Sequence, residues 1–584
     1  MSKWAVVLIV LSILLTHAYY PKWLQSGTEA TLSWDVSGYY MYLPAVFVYG
    51  DLRGCSYADR VLEQYGPTPD FQQAFTHEAS GNCVMKYAVG QAVVLSPFFL
   101  IAHAWASVSA TYPADGFSLP YQLCISVGTL LLALLGLLLL RRVLLRYFSD
   151  PAVAWTLVGI TLGSNYLNYA AIDGAMTHNT LFTLYSGLLL LTVRFYEQPT
   201  VARGLGIGAL VGLAALIRPT EIISCLLPLL WGLEVSRRTA LTERLSFLQQ
   251  HATKLVLAVV VCLGVGSLQL LYWKYVAGEW IVYSYQEQGF SWLRPHLRAG
   301  LFSYRSGWLT YSPFMIFPLL GFYSLWRQRP RLLLATAAFT ALFVYITFAW
   351  DVWWYGGSLG QRAMVQAYPI LAFPLCALVE SARGWRRWQQ LGVGAVALLF
   401  MYASLWFTHQ AHRGGLLHVG EMRRAYYWKT LLTYEKDPED LKLLDGVPRL
   451  YEGREPANVV TLYADTTYRA ELNRERQFGP EVAVPITAQQ AQFDWYRVAA
   501  DVAIGQKEWD VWRMTQFIVS VQRDEQVIED FFIRVQRLLN DQERRRLYLD
   551  FRAPREPFNR IVIKFWNGEG EKAITVRDVR VEAW

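Results

Sequence analysis

Apolar residues fill most of the first 407 positions in long runs separated by short polar loops, and after that the pattern changes. Runs at about 4–20, 119–140, 152–171, 179–195, 204–217, 222–235, 253–274, 307–326, 331–349, 363–380 and 388–407 read as membrane-spanning helices. They predict an all-α polytopic membrane domain of about eleven transmembrane helices over residues 1–407. Lys3, ahead of the first run, places the N-terminus in the cytoplasm. A cleaved signal peptide is the alternative reading of that run.

One more apolar stretch, 87–108, lies inside a long first loop, 21–118. If it crossed the membrane, four basic clusters would fall outside: Arg141-Arg142-Arg146, Arg237-Arg238-Arg244, Arg327-Arg329-Arg331 and Arg383-Arg386-Arg387. If it lies on the surface as an amphipathic helix, all four face the cytoplasm, where short basic loops belong. Gly90, Gln91, Ser96, Pro97 and His103 also suit a surface helix, so 87–108 is predicted as one.

Beyond residue 407 polar residues take over. Residues 408–446 read as an interfacial linker, with 421–446 one polar helix. Short alternating segments follow at 459–463, 481–485, 496–504, 517–521, 546–551, 560–566 and 574–581. Such spacing predicts a mainly antiparallel β-sandwich over 447–584. In the last segment the alternation slips by one at Arg577-Asp578, the mark of a bulge. Eleven crossings leave this domain on the same side as the first loop.

Composition sharpens the picture. Of 584 residues, 54% are hydrophobic and only 17% charged, against roughly 25% charged in soluble domains. The mean hydropathy of +0.21 is modest because the polar tail dilutes it. The net charge of +7 does not point to nucleic acid, because the Lys and Arg sit largely in short loops between apolar runs. Cys124, Cys225, Cys262 and Cys376 lie in apolar runs and read as packing residues. Cys55 and Cys83 share the first loop and are placed to pair if it faces an oxidising compartment. With no CxxC, HExxH or Cys/His cluster, neither a metal nor another cofactor is expected.

The polar outcrops gather on one side. They are the first loop with Trp34-Asp35-Val36-Ser37-Gly38-Tyr39-Tyr40, the stretch Asp173–Asn179, the loop 275–306, and Trp350–Arg362. The runs 204–217 and 222–235 are too short to span alone, at about 21 Å of helix each against a core of about 30 Å. The turn between them, Arg218-Pro219-Thr220-Glu221, therefore sits below the membrane surface. There it forms a self-neutralising pair or lines a pocket; both readings stand. A lone outward carboxylate suits group transfer from a lipid-phosphate sugar, whose leaving group travels with it and whose tail stays in the bilayer. That reaction needs a base for the acceptor hydroxyl or amine and cations at the phosphate. Asp35 supplies the first; Lys86, Arg218, Arg294, Arg298, Arg305 and Arg362 are candidates for the second.

With these residues in place, the chain resembles the C-type (GT-C) superfamily of integral-membrane glycosyltransferases. It is most similar to the branch of protein O-mannosyltransferases and lipid A aminoarabinose transferases. The resemblance covers about residues 1–407. It rests on Asp35 early in the first outer loop, Lys86-Tyr87-Ala88-Val89-Gly90 opening the surface helix, Asp173 in the next outer loop, and the half-length helices around Arg218-Pro219. It implies a bacterial inner-membrane enzyme with periplasmic chemistry. Asp35 would be the general base of an inverting transfer from a polyprenyl-phosphate sugar to a glycan, lipid or protein. Lys86 and an outer arginine (Arg218, Arg305 or Arg362) would hold the phosphate. Asp173 and His178 would lie near the acceptor or orient Asp35, with Tyr39, Tyr40, Glu221 and Asp351 as further sugar or acceptor contacts. Many relatives carry two adjacent acidic residues at the first motif, whereas here Val36 follows Asp35. The absence of an acidic cluster implies a monophosphate donor and no essential metal. The tail resembles carbohydrate-binding modules in strand spacing and in its ending, Val576–Glu582.

Plainer readings compete. Asp35 and Asp173 could be helix caps, Lys86 a snorkelling lysine, and the tryptophans of 350–355 an interfacial belt. Tyr39 and Tyr40 could simply pack the loop onto the bilayer. As a whole the chain could instead be a flippase of lipid-linked sugars or a non-catalytic glycan-binding scaffold. A flippase would want internal repeats and charges near the midplane, and the sequence has no such repeat.

Overall fold

Leucine, alanine and valine runs with few charges fold into helices whose apolar side chains face either each other or lipid. The structure, a computed structural model, describes residues 1–69, 73–234, 237, 239–452 and 458–584. Arg238 of the second basic cluster and the last position of the 222–235 run lie outside the described residues. The chain divides into two compact units, Met1–Gly420 and Glu421–Trp584.

The first unit is helical. Among the described residues, seven helices are long and apolar enough to cross a membrane: Ser2–Leu24, Gly90–Val108, Leu119–Leu144, Ala252–Val276, Pro330–Ala349, Arg362–Ala382 and Arg387–Gly414. Shorter apolar helices accompany them, so the chain is a multi-pass membrane protein. Gly90–Val108, read above as a surface helix, has the length and composition of a span. Two predicted spans are interrupted. The 152–171 run breaks between Leu162 and Tyr166, where Asn165 turns its side chain to the carbonyls of Leu359 and Gln361 at 3.1 and 3.2 Å. The 307–326 run breaks at Ser312-Pro313, because proline cannot continue the helix hydrogen bonds. The run 222–235 opens as a 3-10 stretch, Pro219–Cys225, before a single α-turn.

Without a hydrophobic drive between helices in lipid, close packing relies on small residues. Gly204, Gly208 and Gly212 recur every fourth position on Val201–Ile217, and the backbone of Ala252–Ala277 rests against that stripe at Lys254, Ala258 and Cys262.

The first loop is a folded cap. It contains helices Trp34–Tyr40, Tyr42–Phe47 and Ala58–Tyr65, and a small antiparallel pair, β1 (Ala74–Thr76) with β2 (Cys83–Met85). Cys55 and Cys83 are joined by a disulfide, which ties the loop beyond Phe47 to β2.

The second unit is an antiparallel β-sandwich. Its strands are β3 (Val460–Leu472), β4 (Val482–Pro485), β5 (Trp495–Ile504), β6 (Gln516–Arg523), β7 (Gln526–Arg534), β8 (Arg544–Arg552), β9 (Arg560–Trp566) and β10 (Ile574–Ala583). They form two four-stranded sheets, ordered β3-β10-β5-β8 and β4-β9-β6-β7. Val498, Val502, Phe517, Val519, Leu549, Phe551, Ile561, Ile563 and Val576 fill the space between them. The register of β10 shifts between Arg577 and Val579, with Asp578 at φ +50°, so the predicted bulge is there. Strand β7 was not anticipated: Glu529 and Asp530 break its apolar alternation.

Residues 421–446 do not form the single polar helix predicted. A short helix, Arg424–Thr430, is followed by Leu432 at φ +60°, and a 3-10 stretch runs Pro438–Leu444. Proline at 438 bars Asp437 from the α conformation and splits the segment. Asp445 then accepts from Arg534 Nη1 at 2.6 Å and Arg537 Nε at 3.1 Å, clasping this segment to the sandwich.

Candidate active site

Helix Trp34–Tyr40 begins on a strained residue. Trp34 has φ +49°, a left-handed conformation that disfavours an aromatic side chain by about 1–2 kcal/mol. Three hydrogen bonds hold it there. The Trp34 N–H donates to the Pro67 carbonyl at 3.0 Å, and its own carbonyl accepts from Ser37 Oγ at 2.6 Å and Gln73 Nε2 at 3.2 Å. The next residue is Asp35.

Both carboxylate oxygens of Asp35 are engaged. Oδ1 accepts from the Tyr87 hydroxyl at 2.7 Å, and Oδ2 is paired with the Arg362 guanidinium. Burial alone would raise the pKa of this group. The Arg362 charge, with the Tyr87 hydroxyl and the Lys86 ammonium, outweighs burial and holds it below the usual carboxylate range. Asp35 is therefore ionised at neutral pH. Gly38 makes the Tyr87 contact feasible, since a Cβ at that position would lie 2.6 Å from Tyr87 Cε2. One helical turn on from Asp35, the ring of Tyr39 packs against Tyr87 at 4.4 Å, tilted by 46°.

Arg362 opens the 3-10 stretch Arg362–Ala367, and its side chain is largely buried. Its Nε is buried with no hydrogen-bond partner. Arg218 follows Val201–Ile217, its Nη1 3.4 Å from His178 Nδ1 and its guanidinium 5.4 Å from the ring of Tyr355. It does not pair with Glu221. That carboxylate accepts instead from the Tyr185 hydroxyl and from Gln366 Nε2 at 2.6 Å, and Gln366 Oε1 reaches His178 Nδ1 at 3.0 Å. Lys86 places its Nζ 5.8 and 5.9 Å from the rings of Tyr87 and Tyr285. Among the described residues neither Lys86 nor Arg218 forms an ion pair with a carboxylate. Tyr39 lies in the fields of Asp35, Arg218 and Arg362, and Tyr285 in those of Arg218 and Asp35, which marks one cluster. Counting both Asp35 and Glu221 as ionised, three cations face two anions. The cluster has room in its charge for an anionic ligand.

The remaining candidates sit elsewhere. Tyr40 is buried against Phe99 and Phe117 and donates to the Gly116 carbonyl, so it packs the loop. Arg305 is held by the Gly420 carbonyl at 2.7 Å and lies over Trp354 at 3.9 Å. Asp351 accepts from Ser291 Oγ at 2.7 Å and the Gly289 N–H at 3.1 Å, pinning that loop. Asp173 does not reach Asp35. It pairs with Lys22 at 2.7 Å and takes the Asn168 amide at 2.8 Å, while Asn168 also meets His412 at 2.6 Å.

That clasp joins the start of the first loop, the 168–173 turn and the end of the last long helix. Burial pushes the Asp173 carboxyl up, but Lys22, then His412 and Asn168, bring it down to about 2. A depressed carboxylate stabilises above its unfolded value, and that contribution is lost as pH falls through the folded one. The shift is worth about 2 kcal/mol at neutral pH. Asp173→Asn should therefore lower the thermal unfolding midpoint in detergent at pH 7, and the gap to wild type should shrink steadily as the pH approaches 2. A gap unchanged with pH would refute the charge assignment.

Five members of the cluster are not among the sequence candidates: Tyr87, Tyr185, Tyr285, Tyr355 and Gln366. Tyr87 carried a signal as the neighbour of Lys86, and Tyr285 and Tyr355 as members of the polar stretches 275–306 and 350–362. Among the described residues no three His, Cys, Asp or Glu side chains gather as metal ligands.

No family model matches the chain, and no curated protein matches it. Among solved structures it is similar to the single-particle cryo-EM structure of the arabinosyltransferase EmbB from Mycobacterium smegmatis, with 12% sequence identity and a TM-score of 0.36. That match covers 98% of this chain and 64% of the other, so the chain spans less than two thirds of that protein's length.

Proposed function

We propose that the chain is a membrane glycosyltransferase. It transfers a sugar from a polyprenyl-phosphate donor to a hydroxyl or amine of a glycan, lipid or protein on the Asp35 side of the membrane, with inversion. The observation that carries this reading is an ionised carboxylate sharing one cluster with two cations, Lys86 and Arg218, that form no ion pair among the described residues.

In the proposed step the donor phosphate lies against Arg218, Lys86 and Arg362. Asp35 takes the proton from the acceptor as the acceptor atom bonds to C1 of the sugar. The bond from C1 to the phosphate oxygen breaks, and the electron pair leaves on polyprenyl phosphate. Cations placed where that charge develops stabilise the transition state more than the ground state. The resting site poses a difficulty that the donor resolves: a carboxylate bound to Arg362 is a weak base. A phosphate that shares Arg362 loosens the pair and restores basicity to Asp35 when the donor is in place.

The test is transfer of radiolabelled sugar from a panel of polyprenyl-phosphate donors in membranes carrying the protein, against membranes without it. Protein-dependent label in a lipid, glycan or protein fraction, with release of polyprenyl phosphate, supports the reading. Label that crosses the bilayer still attached to its lipid identifies a flippase instead.

A further inference from the structure

Two large apolar side chains occupy the tip of a tight turn beside the cluster. The Arg294 N–H donates to the Ser291 carbonyl at 3.0 Å, which leaves Trp292 and Leu293 at the two central positions. Central positions of a turn face outward and usually go to Gly, Pro, Asn, Asp or Ser. Here Leu293 is 98% exposed, more than any other large hydrophobic described, and Trp292 is exposed too.

The turn lies along Pro330–Ala349, one of the helices long enough to cross the membrane. The Ser291 N–H donates to the Ala349 carbonyl and the His296 N–H to the Phe348 carbonyl, both at 2.7 Å. Between these two points the Tyr345 hydroxyl donates to the Trp292 carbonyl. The segment thus enters at the end of the helix, descends alongside it to Tyr345 and returns. The four residues from Ala349 to Tyr345 span about 6 Å, and a helical side chain leans towards the N-terminus, which takes the contact further from the helix end. Asp351 fixes the descent through Gly289 and Ser291, and Phe290 stacks on Trp292 at 4.5 Å.

The surroundings are apolar as well. Trp280, Ile281 and Tyr283 are exposed and continue the exposed apolar face of Ala252–Ala277 past its end, from Leu271 and Tyr275. Arg294 follows the tip directly, with Arg298 four residues on, and neither forms an ion pair among the described residues. Apolar tip followed by cations is the pattern of a segment seated at a membrane interface.

We propose that the Trp292–Leu293 turn is a wedge inserted among the acyl chains of the leaflet on the Asp35 side, with Arg294 and Arg298 reaching to the lipid phosphates. The same segment carries Tyr285, whose ring meets Tyr87 at 6.1 Å, so the bilayer itself holds one wall of the cluster in place. This stands whether or not the chain transfers sugars.

The test is a nitroxide on Leu293→Cys in nanodiscs of phosphatidylcholine and phosphatidylglycerol, with the signal of the wild-type chain labelled alike subtracted for its native cysteines. Ser80→Cys, on an exposed turn of the first loop, is the aqueous reference. The expected result is relaxation of the 293 label by oxygen and protection from a water-soluble nickel complex, the reverse of the label at 80. Relaxation by nickel would put the turn in water, and resistance to both would bury it in protein; either overturns the proposal.

Discussion

Asp35→Asn is expected to cut sugar transfer by roughly 10²–10⁴-fold, the range that a positioned general base supplies. Asparagine keeps the shape of the side chain, and its carbonyl still accepts from Tyr87. It cannot take the proton, and its amide no longer holds Arg362. Freed, Arg362 can serve the donor phosphate alone, so the loss should fall on kcat while the donor KM stays level or drops. pH supplies an independent readout. A general base works ionised, so in the proposed mechanism wild-type activity should be lost as pH falls through the folded value of Asp35. Because Arg362, Tyr87 and Lys86 hold that value down in the free protein, the acid limb of kcat/KM for the donor should lie below the usual carboxylate range. In the donor complex the phosphate draws on Arg362, and the acid limb of kcat should move up. The residual activity of Asp35→Asn should show neither limb. Transfer by Asp35→Asn at the wild-type rate would make Asp35 a structural carboxylate.

Arg218→Gln should produce the second largest loss, roughly 10²–10³-fold in kcat/KM for the donor, as when one preorganised donor to a developing anion is removed. Arg218 bonds no carboxylate among the described residues, so its removal breaks no ion pair there. The effect should therefore appear in kinetics with little change in unfolding temperature. Because phosphate charge grows as the bond to C1 breaks, kcat should fall along with affinity. Glu221→Gln is the contrast. It acts through Gln366 and His178 and not on the donor, so it should shift the position of Arg218 and give a smaller loss. Wild-type kinetics in Arg218→Gln would remove the phosphate site from this cluster.

Much of the architecture was legible because burial in lipid and burial in a sandwich leave different periods in the sequence. Long apolar runs located the helices, and alternation with a slip at Arg577-Asp578 located both the last strand and its bulge. The interruptions were harder to see. Asn165 breaks a helix for the sake of carbonyls nearly two hundred residues away, at Leu359 and Gln361, which no local pattern reveals. The candidate site was legible in part for a similar reason. Asp35, Lys86 and Arg218 stand out as charges in apolar company. The pairing of Asp35 with Arg362 joins residues 327 apart, and the phenols of Tyr87, Tyr285 and Tyr355 look like any interfacial aromatics. Asp173 shows the converse: a charge conspicuous in sequence whose partners, Lys22 and Asn168, no local pattern reveals.

The left-handed backbone at Trp34 reaches beyond chemistry into descent. Pro67 and Gln73 touch no substrate in the mechanism proposed, yet their hydrogen bonds keep residue 34 from relaxing and carrying Asp35 with it. If Asp35 is the base, selection on the carboxylate extends to them. Lineages that lose the Gln73 amide should drift towards glycine or asparagine at 34, the residues that adopt this backbone most readily. Positions 34 and 73 should then change together, leaving a record of the site at residues that take no part in the chemistry.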